Sequence, residues 1–244
     1  MRLARDIPIT AFSTALVAVA TIAFTIYVPA TRGYFNLGEA AVFLVALLGG
    51  ARIGAFAGGV GSMLADVVLG FYLFAPATLV IKGLEGFLLG ILTSRRPEFK
   101  KGEWKLLSIA ASAAVFTLVL AVGIMFYSGT LEVTIGPSWI GSYSLVVELS
   151  PIFWAIVGGA VALVVAYASL SARQETGYIT ISALISGSVM VLGYFLYEQL
   201  FLGYAAIAEV PFNIGQVLVG IIIAIPAYTS LKVISRSPKQ VPSS

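Results

Sequence analysis

Three pairs of polar residues, each three positions apart, stand in otherwise apolar surroundings: Asn36 and Glu39, Lys82 and Glu85, Asn213 and Gln216. A spacing of three places both members on one face of a helix. Together they offer carboxylates, an ammonium and amides that both donate and accept, a set suited to holding a polar-edged small molecule by hydrogen bonds. Covalent chemistry finds little support. The chain has no cysteine and no histidine, which removes thiol nucleophiles, disulfides, imidazole metal sites and a Ser/His/Asp triad. An acid–base enzyme built on Asp66 and Glu85 would have neither a nucleophile constellation nor a metal to work with. Plainer readings stand beside the binding one. Lys82 with Glu85 or Asp66 can act as internal neutralising pairs, and Tyr34, Phe35, Tyr72, Phe74, Tyr194 and Tyr197, which could stack on a planar ring, also suit an interfacial belt.

The elements that must position these residues are transmembrane helices. Hydrophobic residues make up 59% of the 244 and charged residues 10%, against about 25% charged in soluble domains. Apolar runs predict eight spans, near 9–28, 38–51, 53–71, 74–93, 105–127, 150–170, 178–202 and 211–234. The run 38–51 is short and ends at Gly49-Gly50-Ala51-Arg52, as a tilted or partial crossing would. Val28-Pro29-Ala30 loosely resembles a signal-peptidase site, but an apolar run of about 20 residues is long enough to span, which favours a retained first helix. With Arg2 and Arg5 inside, Arg52, Arg95, Arg96, Lys100, Lys101, Arg173, Lys232, Arg236 and Lys239 also fall inside, and Arg32 alone dissents. The expectation is a multi-pass plasma-membrane protein with both termini cytoplasmic. The formal charge of +3 is spread over these short loops and forms no nucleic-acid-binding patch.

Depth sorts the polar groups. At about 1.5 Å per residue, Glu39 lies at the outer end of its span, Asp66 about 7 Å below an outer end, Lys82 and Glu85 about 12 and 16 Å down, and Gln216 about 7 Å down. Glu198 lies near an outer end. Charges inside spans face protein or water and are functional candidates; here their asymmetry describes a cup open outside and closed below. Phe35-Asn36-Leu37-Gly38-Glu39 and Phe212-Asn213-Ile214-Gly215-Gln216 form a weak internal echo, a pair of similar polar helix starts. Small-residue seams run along Ala11 and Ala15, along Gly54, Gly58 and Ser62 beside Ala57, Gly61 and Ala65, and along Gly158, Ala162 and Ala166, where helices can approach closely. No G-x-x-x-x-G-K-[ST] phosphate loop occurs, so ATP-driven transport would need energy from another polypeptide.

Pro29-Ala30-Thr31-Arg32-Gly33-Tyr34-Phe35-Asn36-Leu37-Gly38-Glu39-Ala40, Gly49-Gly50-Ala51-Arg52-Ile53-Gly54, Ala65-Asp66 and Lys82-Gly83-Leu84-Glu85-Gly86, with Glu209 to Gln216, Gly220 and Pro226, resemble the substrate-binding S component of energy-coupling factor (ECF) vitamin transporters. The likeness is to the riboflavin-type branch, which also holds proteins for pyrimidine precursors of thiamine, and it covers about 8–95 and 178–234. It implies an all-α six-helix membrane subunit that captures a vitamin from outside and works with a membrane-embedded coupling subunit and two ATPase subunits. It implies no catalysis and no cofactor, and riboflavin first, or a pyrimidine, as ligand. Asn36, Glu39, Lys82, Glu85, Asn213 and Gln216 are then the expected ligand residues. Ala11 and Ala15 match the family's Ala-x-x-x-Ala contact with the coupling subunit. Residues 104–171 depart from the six-helix pattern and read as two additional transmembrane helices inserted into a core of 9–93 and 178–234, within a single membrane domain. The runner-up is a self-sufficient secondary transporter in which Asp66, Glu85 or Glu198 couples uptake to protons.

Overall fold

The computed structural model describes residues 2–28, 33–95, 97, 99–135, 143–171 and 174–236. In chain order the elements are α1 (Arg2–Ala23), β1 (Thr25–Val28), β2 (Gly33–Asn36), α2 (Gly38–Leu69), α3 (Ala75–Ser94), α4 (Lys101–Tyr127), β3 (Gly129–Ile135), β4 (Tyr143–Leu149), α5 (Pro151–Ser171), α6 (Gln174–Glu198), a 3-10 turn (Gly203–Glu209) and α7 (Val210–Arg236). They fall into two compact units, residues 1–97 with 178–244, and residues 98–177. Six helices among the described residues are long and apolar enough to cross a membrane: α1, α2, α3, α4, α6 and α7. Among the described residues the protein is an all-helical membrane protein apart from two short hairpins.

Eight runs were expected, and the difference lies in two places. The runs 38–51 and 53–71 are the two arms of α2, and the apolar helix Pro151–Tyr167 is shorter than the other six. The α2 arms do not form one straight rod. At Gly50 the backbone takes φ 75° and ψ −173°, a region open essentially to glycine alone. Beyond it the chain turns back on itself. Ala46 meets the Gly54 backbone, and Val42 the Gly58 backbone, closely enough that a Cβ on Gly54 would lie 2.8 Å from that of Ala46. Residues eight and sixteen apart on a continuous helix would be about 12 and 24 Å apart. The arms are therefore antiparallel, and the first, of about a dozen residues, has about 18 Å of length against a hydrocarbon core of about 30 Å. The Gly-Gly-Ala-Arg turn expected from sequence is this reversal.

A second correction concerns the first span. It ends at Ala23, not at residue 28, because residues 25–28 pair antiparallel with 33–36, Thr25 opposite Asn36 and Val28 opposite Gly33. The run Thr25-Ile26-Tyr27-Val28 is rich in the β-branched and aromatic types that favour strands over helix. Residues 29–32, which include Arg32, lie outside the described residues, as does Lys239.

The core of the first unit is built on close approach. Phe43, Ala46, Ala77, Ile81, Leu89, Ala183, Met190, Val217 and Ala224 form one buried cluster, and Val17, Ala41, Val42, Val45 and Ala57 a second against α1. In lipid, helices gain nothing by hiding apolar surface from one another, so association rests on van der Waals fit and interhelical polar contacts. Gly58 shows this: a Cβ there would stand 2.8 Å from the Lys82 carbonyl oxygen on α3. The seam on the second arm of α2 is internal packing. The α1 seam is different, since Ala11 and Ala15 are exposed on the same side as Phe12 and Val19 while Ser13, Thr14, Val17 and Thr21 are buried.

In the second unit α4 packs along α5, and β3 pairs with β4 from Gly129 opposite Leu149 to Ile135 opposite Tyr143. Glu103 accepts the Lys100 backbone N–H at 3.0 Å at the start of α4, a favourable place for an acid. Thr130, Val133, Thr134, Ile135, Val146 and Val147 supply the β-branched residues for the β3–β4 hairpin.

Replacing Gly50 with alanine forces a Cβ into that backbone conformation and is expected to destabilise the protein by about 1–3 kcal/mol. Gly102→Ala, at a helical position with nothing within 4 Å, is the control. Unfolding midpoints in one detergent should fall for the first and hold for the second; equal midpoints would remove the special role of Gly50.

Candidate functional site

The helix ends explain where the polar groups gather. Glu39 sits in the first turn of α2, Asp66 in its last turn, Thr78 and Lys82 in the first half of α3, Glu198 at the end of α6, and Asn213 and Gln216 in the first two turns of α7. Because successive segments run up and down, all of these fall at one end of the first unit, the end that carries the β1–β2 hairpin. Three helix N-termini point there, where the partial positive charge of the backbone favours acids.

The residues enclose a cavity of about 370 Å3, mouth included, lined by Tyr34, Asn36, Asp66, Phe74, Thr78, Lys82, Tyr194, Glu198, Glu209, Asn213 and Gln216. Four of the six expected ligand residues, Asn36, Lys82, Asn213 and Gln216, line it. The other two, Glu39 and Glu85, do not. Lys82 Nζ donates to Glu39 and, at 3.1 Å, to Glu85, with all three side chains buried. The lysine thus presents itself to the cavity already flanked by two carboxylates from different helices.

Only two of the three sequence pairs behave as helix pairs. Lys82 and Glu85 share a face of α3, and Gln216 Nε2 donates to Asn213 Oδ1 at 3.1 Å on α7. Asn36 stands on β2, two residues before the helix, and its Oδ1 accepts the Gly38 backbone N–H at 2.8 Å. Strand alternation puts Tyr34 and Asn36, two apart, on the same side of the hairpin, and both reach the cavity.

Tyr34 closes one wall: its hydroxyl donates to Asp66 Oδ1 at 2.5 Å and its ring lies 4.5 Å from that of Phe71. Burial first, and the neighbouring Asp66 carboxylate second, push the Tyr34 hydroxyl well above its ordinary value, so it stays a donor across the accessible pH range. Tyr194 donates to Thr78 Oγ1 at 2.9 Å. Of the other aromatics, Phe74 lines the cavity, Tyr197 packs edge-on to Phe74 and donates to the Leu73 carbonyl at 2.5 Å, Phe35 lies against Gly215, and Tyr72 is exposed.

Sequence reasoning omitted Thr78 and Glu209 from the polar set. The signal was present, since Thr78 precedes Lys82 by four and Glu209 precedes Asn213 by four, the helix-face spacing. Glu209 is buried in the 3-10 turn, and its carboxylate interacts electrostatically with that of Glu198. Among the described residues no three Asp or Glu side chains converge as metal ligands would.

A helical membrane protein with a ring-lined polar cavity at one end is of the class that binds a small solute. Residues 3–150 match the family model described as "ECF-type riboflavin transporter, S component", and the chain belongs to that family of transporters. The matched stretch runs past residue 95 through α4, β3 and β4 and ends before α6 and α7. The chain is also 51% identical over 74 residues to a Pyrococcus woesei protein described as "Uncharacterized protein in gap 3'region", an overlap of 30% of this chain and 49% of that one. It spans about half the length of the curated relative it matches.

Lys82→Met leaves Glu39 and Glu85 buried with no cation, a change that costs about 3–5 kcal/mol when one partner of a buried pair is removed. The unfolding midpoint in detergent is expected to drop steeply, and to recover most of the loss when Glu39→Gln and Glu85→Gln are added. A triple variant as unstable as Lys82→Met would show that charge compensation is not what Lys82 supplies.

Proposed function

We propose that the protein is the substrate-specific subunit of an ECF-type transporter, capturing a vitamin or related small heterocycle from outside for ATP-driven uptake. The observation that carries this is the cavity itself: of its lining groups, rings stand at Tyr34, Phe74 and Tyr194, and amides at Asn36, Asn213 and Gln216. Flat faces stack and polar edges are read by amides. Riboflavin, which the family's description names, is the reference ligand, with a pyrimidine precursor as the other candidate.

The cavity faces outward in this proposal, and both termini are cytoplasmic. Arg52 at the α2 reversal, Arg95 at the end of α3, and Lys232 and Arg236 at the end of α7 all lie at the helix ends opposite the cavity, and an excess of Lys and Arg marks the cytoplasmic side. Energy comes from a membrane-embedded coupling subunit with two ATPases. The exposed Ala11 and Ala15 on α1 offer the close-approach face for that subunit. Residues 104–171 are an inserted helix pair carried on a six-helix core.

Gentle purification from native membranes, followed by native mass spectrometry, tests this. A bound heterocycle together with a coupling subunit and ATPases is the expected result. Ala15→Trp is expected to lose those partners while keeping the small molecule. Uptake by the chain alone, abolished when a proton gradient collapses, would replace the proposal with a secondary transporter.

A further inference from the structure

Asn213 and Gln216 are neighbours on one face of α7, and their side chains join: Gln216 Nε2 donates to Asn213 Oδ1 at 3.1 Å, with both residues buried and both lining the cavity. That bond uses one N–H and one carbonyl oxygen. Each amide carries a donor group and an acceptor, so one of each is left over, Asn213 Nδ2 and Gln216 Oε1. Turning both amides end for end leaves the same remainder, with Asn213 now supplying the acceptor and Gln216 the donor. Neither residue has another hydrogen-bond partner among the described residues. Neither leftover atom is among the buried polar atoms shut away without a partner, so both open onto the cavity that the two residues line.

Packing holds the pair in place. One turn further along α7, a Cβ on Gly220 would stand 2.7 Å from Glu39 Cγ on α2, and a Cβ on Gly187 of α6 would come within 2.5 Å of Val217. Glu39 is itself fixed by Lys82. With α7 wedged between α2 and α6, and each amide steadied by the other, a donor and an acceptor stand ready side by side, and little freedom is lost when a ligand meets them. Asn36 differs: its oxygen is taken by the Gly38 N–H, which leaves it a donor alone.

We propose that Asn213 and Gln216 act as one unit that reads a lactam edge on the ligand, a ring N–H beside a ring carbonyl, and so set which heterocycle the cavity accepts. The ligand carbonyl accepts from the free amide N–H, and the ligand N–H donates to the free amide oxygen. The faces of the ring are left to the aromatic side chains of the same cavity, Phe74 and Tyr194 among them. A ring without that N–H leaves a buried acceptor unmatched, and the penalty for this exceeds the gain from the bond itself. The inference rests on the reading of this cavity as the ligand site and narrows the ligand from any planar heterocycle to one with a lactam edge. Riboflavin, the ligand named in the family's description, has such an edge at the N3–H of its isoalloxazine ring.

A matched pair of probes isolates the edge. Riboflavin and 3-methylriboflavin share the ring system and the ribityl chain, and only the first has the N–H. Each is titrated against the full-length protein in detergent, freed of any co-purified ligand, by quenching of flavin fluorescence. The methylated flavin is expected to bind at least tenfold more weakly, the scale set by one unmatched buried acceptor. A methyl group could also weaken binding by bulk alone. Asn213→Leu and Gln216→Met, made singly and together, keep the side-chain size and separate the two causes. Loss of the hydrogen bonds weakens riboflavin by about tenfold, leaves 3-methylriboflavin unchanged and lets the double variant bind both flavins alike, whereas bulk would preserve the preference. Equal binding of the two flavins by the unaltered protein, a preference that survives the double variant, or no binding of riboflavin overturns the inference. The transporter reading survives each of these results. Its own failure would show separately, as the absence of a coupling subunit and ATPases from the native complex.

Discussion

One lysine held between two carboxylates is the constraint around which the first unit is arranged. Lys82 reaches Glu39 on α2 and Glu85 on its own helix, and all three side chains are buried. Within a membrane such groups cannot be left singly, because no water is present to solvate them. Their mutual contact requires the first arm of α2 to stand within reach of α3, and the second arm meets both where a side chain vanishes: a Cβ on Gly58 would lie 2.8 Å from the Lys82 carbonyl oxygen and 3.2 Å from Val42 on the first arm. The polar cluster and the small-residue seam are thus two aspects of one packing solution, the first supplying directionality and the second supplying room.

The reversal at Gly50 follows from the same requirement. If α2 were a straight helix of 32 residues, Glu39 and Asp66 would stand about 40 Å apart, on opposite sides of a bilayer. Folding the helix back brings both to the end at which α3 and α7 begin and α6 stops. A cavity walled by the hairpin, α2, α3, α6, the 3-10 turn and α7 is the result. Its walls are held by cross-element hydrogen bonds, Tyr34 to Asp66 and Tyr194 to Thr78, rather than by the groups that remain available to a ligand. Membership of a transporter family gives that arrangement its sense, since recognition of a solute needs a preformed polar site.

Much of this was legible in the sequence, and the part that was not has a common cause. Composition and run length identify a helical membrane protein, since a stretch of about 20 apolar residues has few other fates. The pairs Lys82/Glu85 and Asn213/Gln216 were readable because a spacing of three describes a face of one helix. The echo motif placed Asn36 in the right neighbourhood but on the wrong element. It belongs to a strand because residues 25–28 and 33–36 pair with each other, a fact about two segments and not one.

What the sequence by itself determined is the inventory: which segments are apolar, which polar side chains they carry, and on which face of each helix those side chains lie. Only the tertiary structure decided which faces meet. It withdrew Glu39 and Glu85 from the cavity to hold Lys82, brought in Thr78 and Glu209, and left Glu198 with an oxygen unmatched. The physical reason is that periodicity along a helix fixes the direction of a side chain relative to its own axis, whereas partners are set by the crossing of helices. That crossing depends on glycines and turns spread through the chain, whose combined effect no single spacing records.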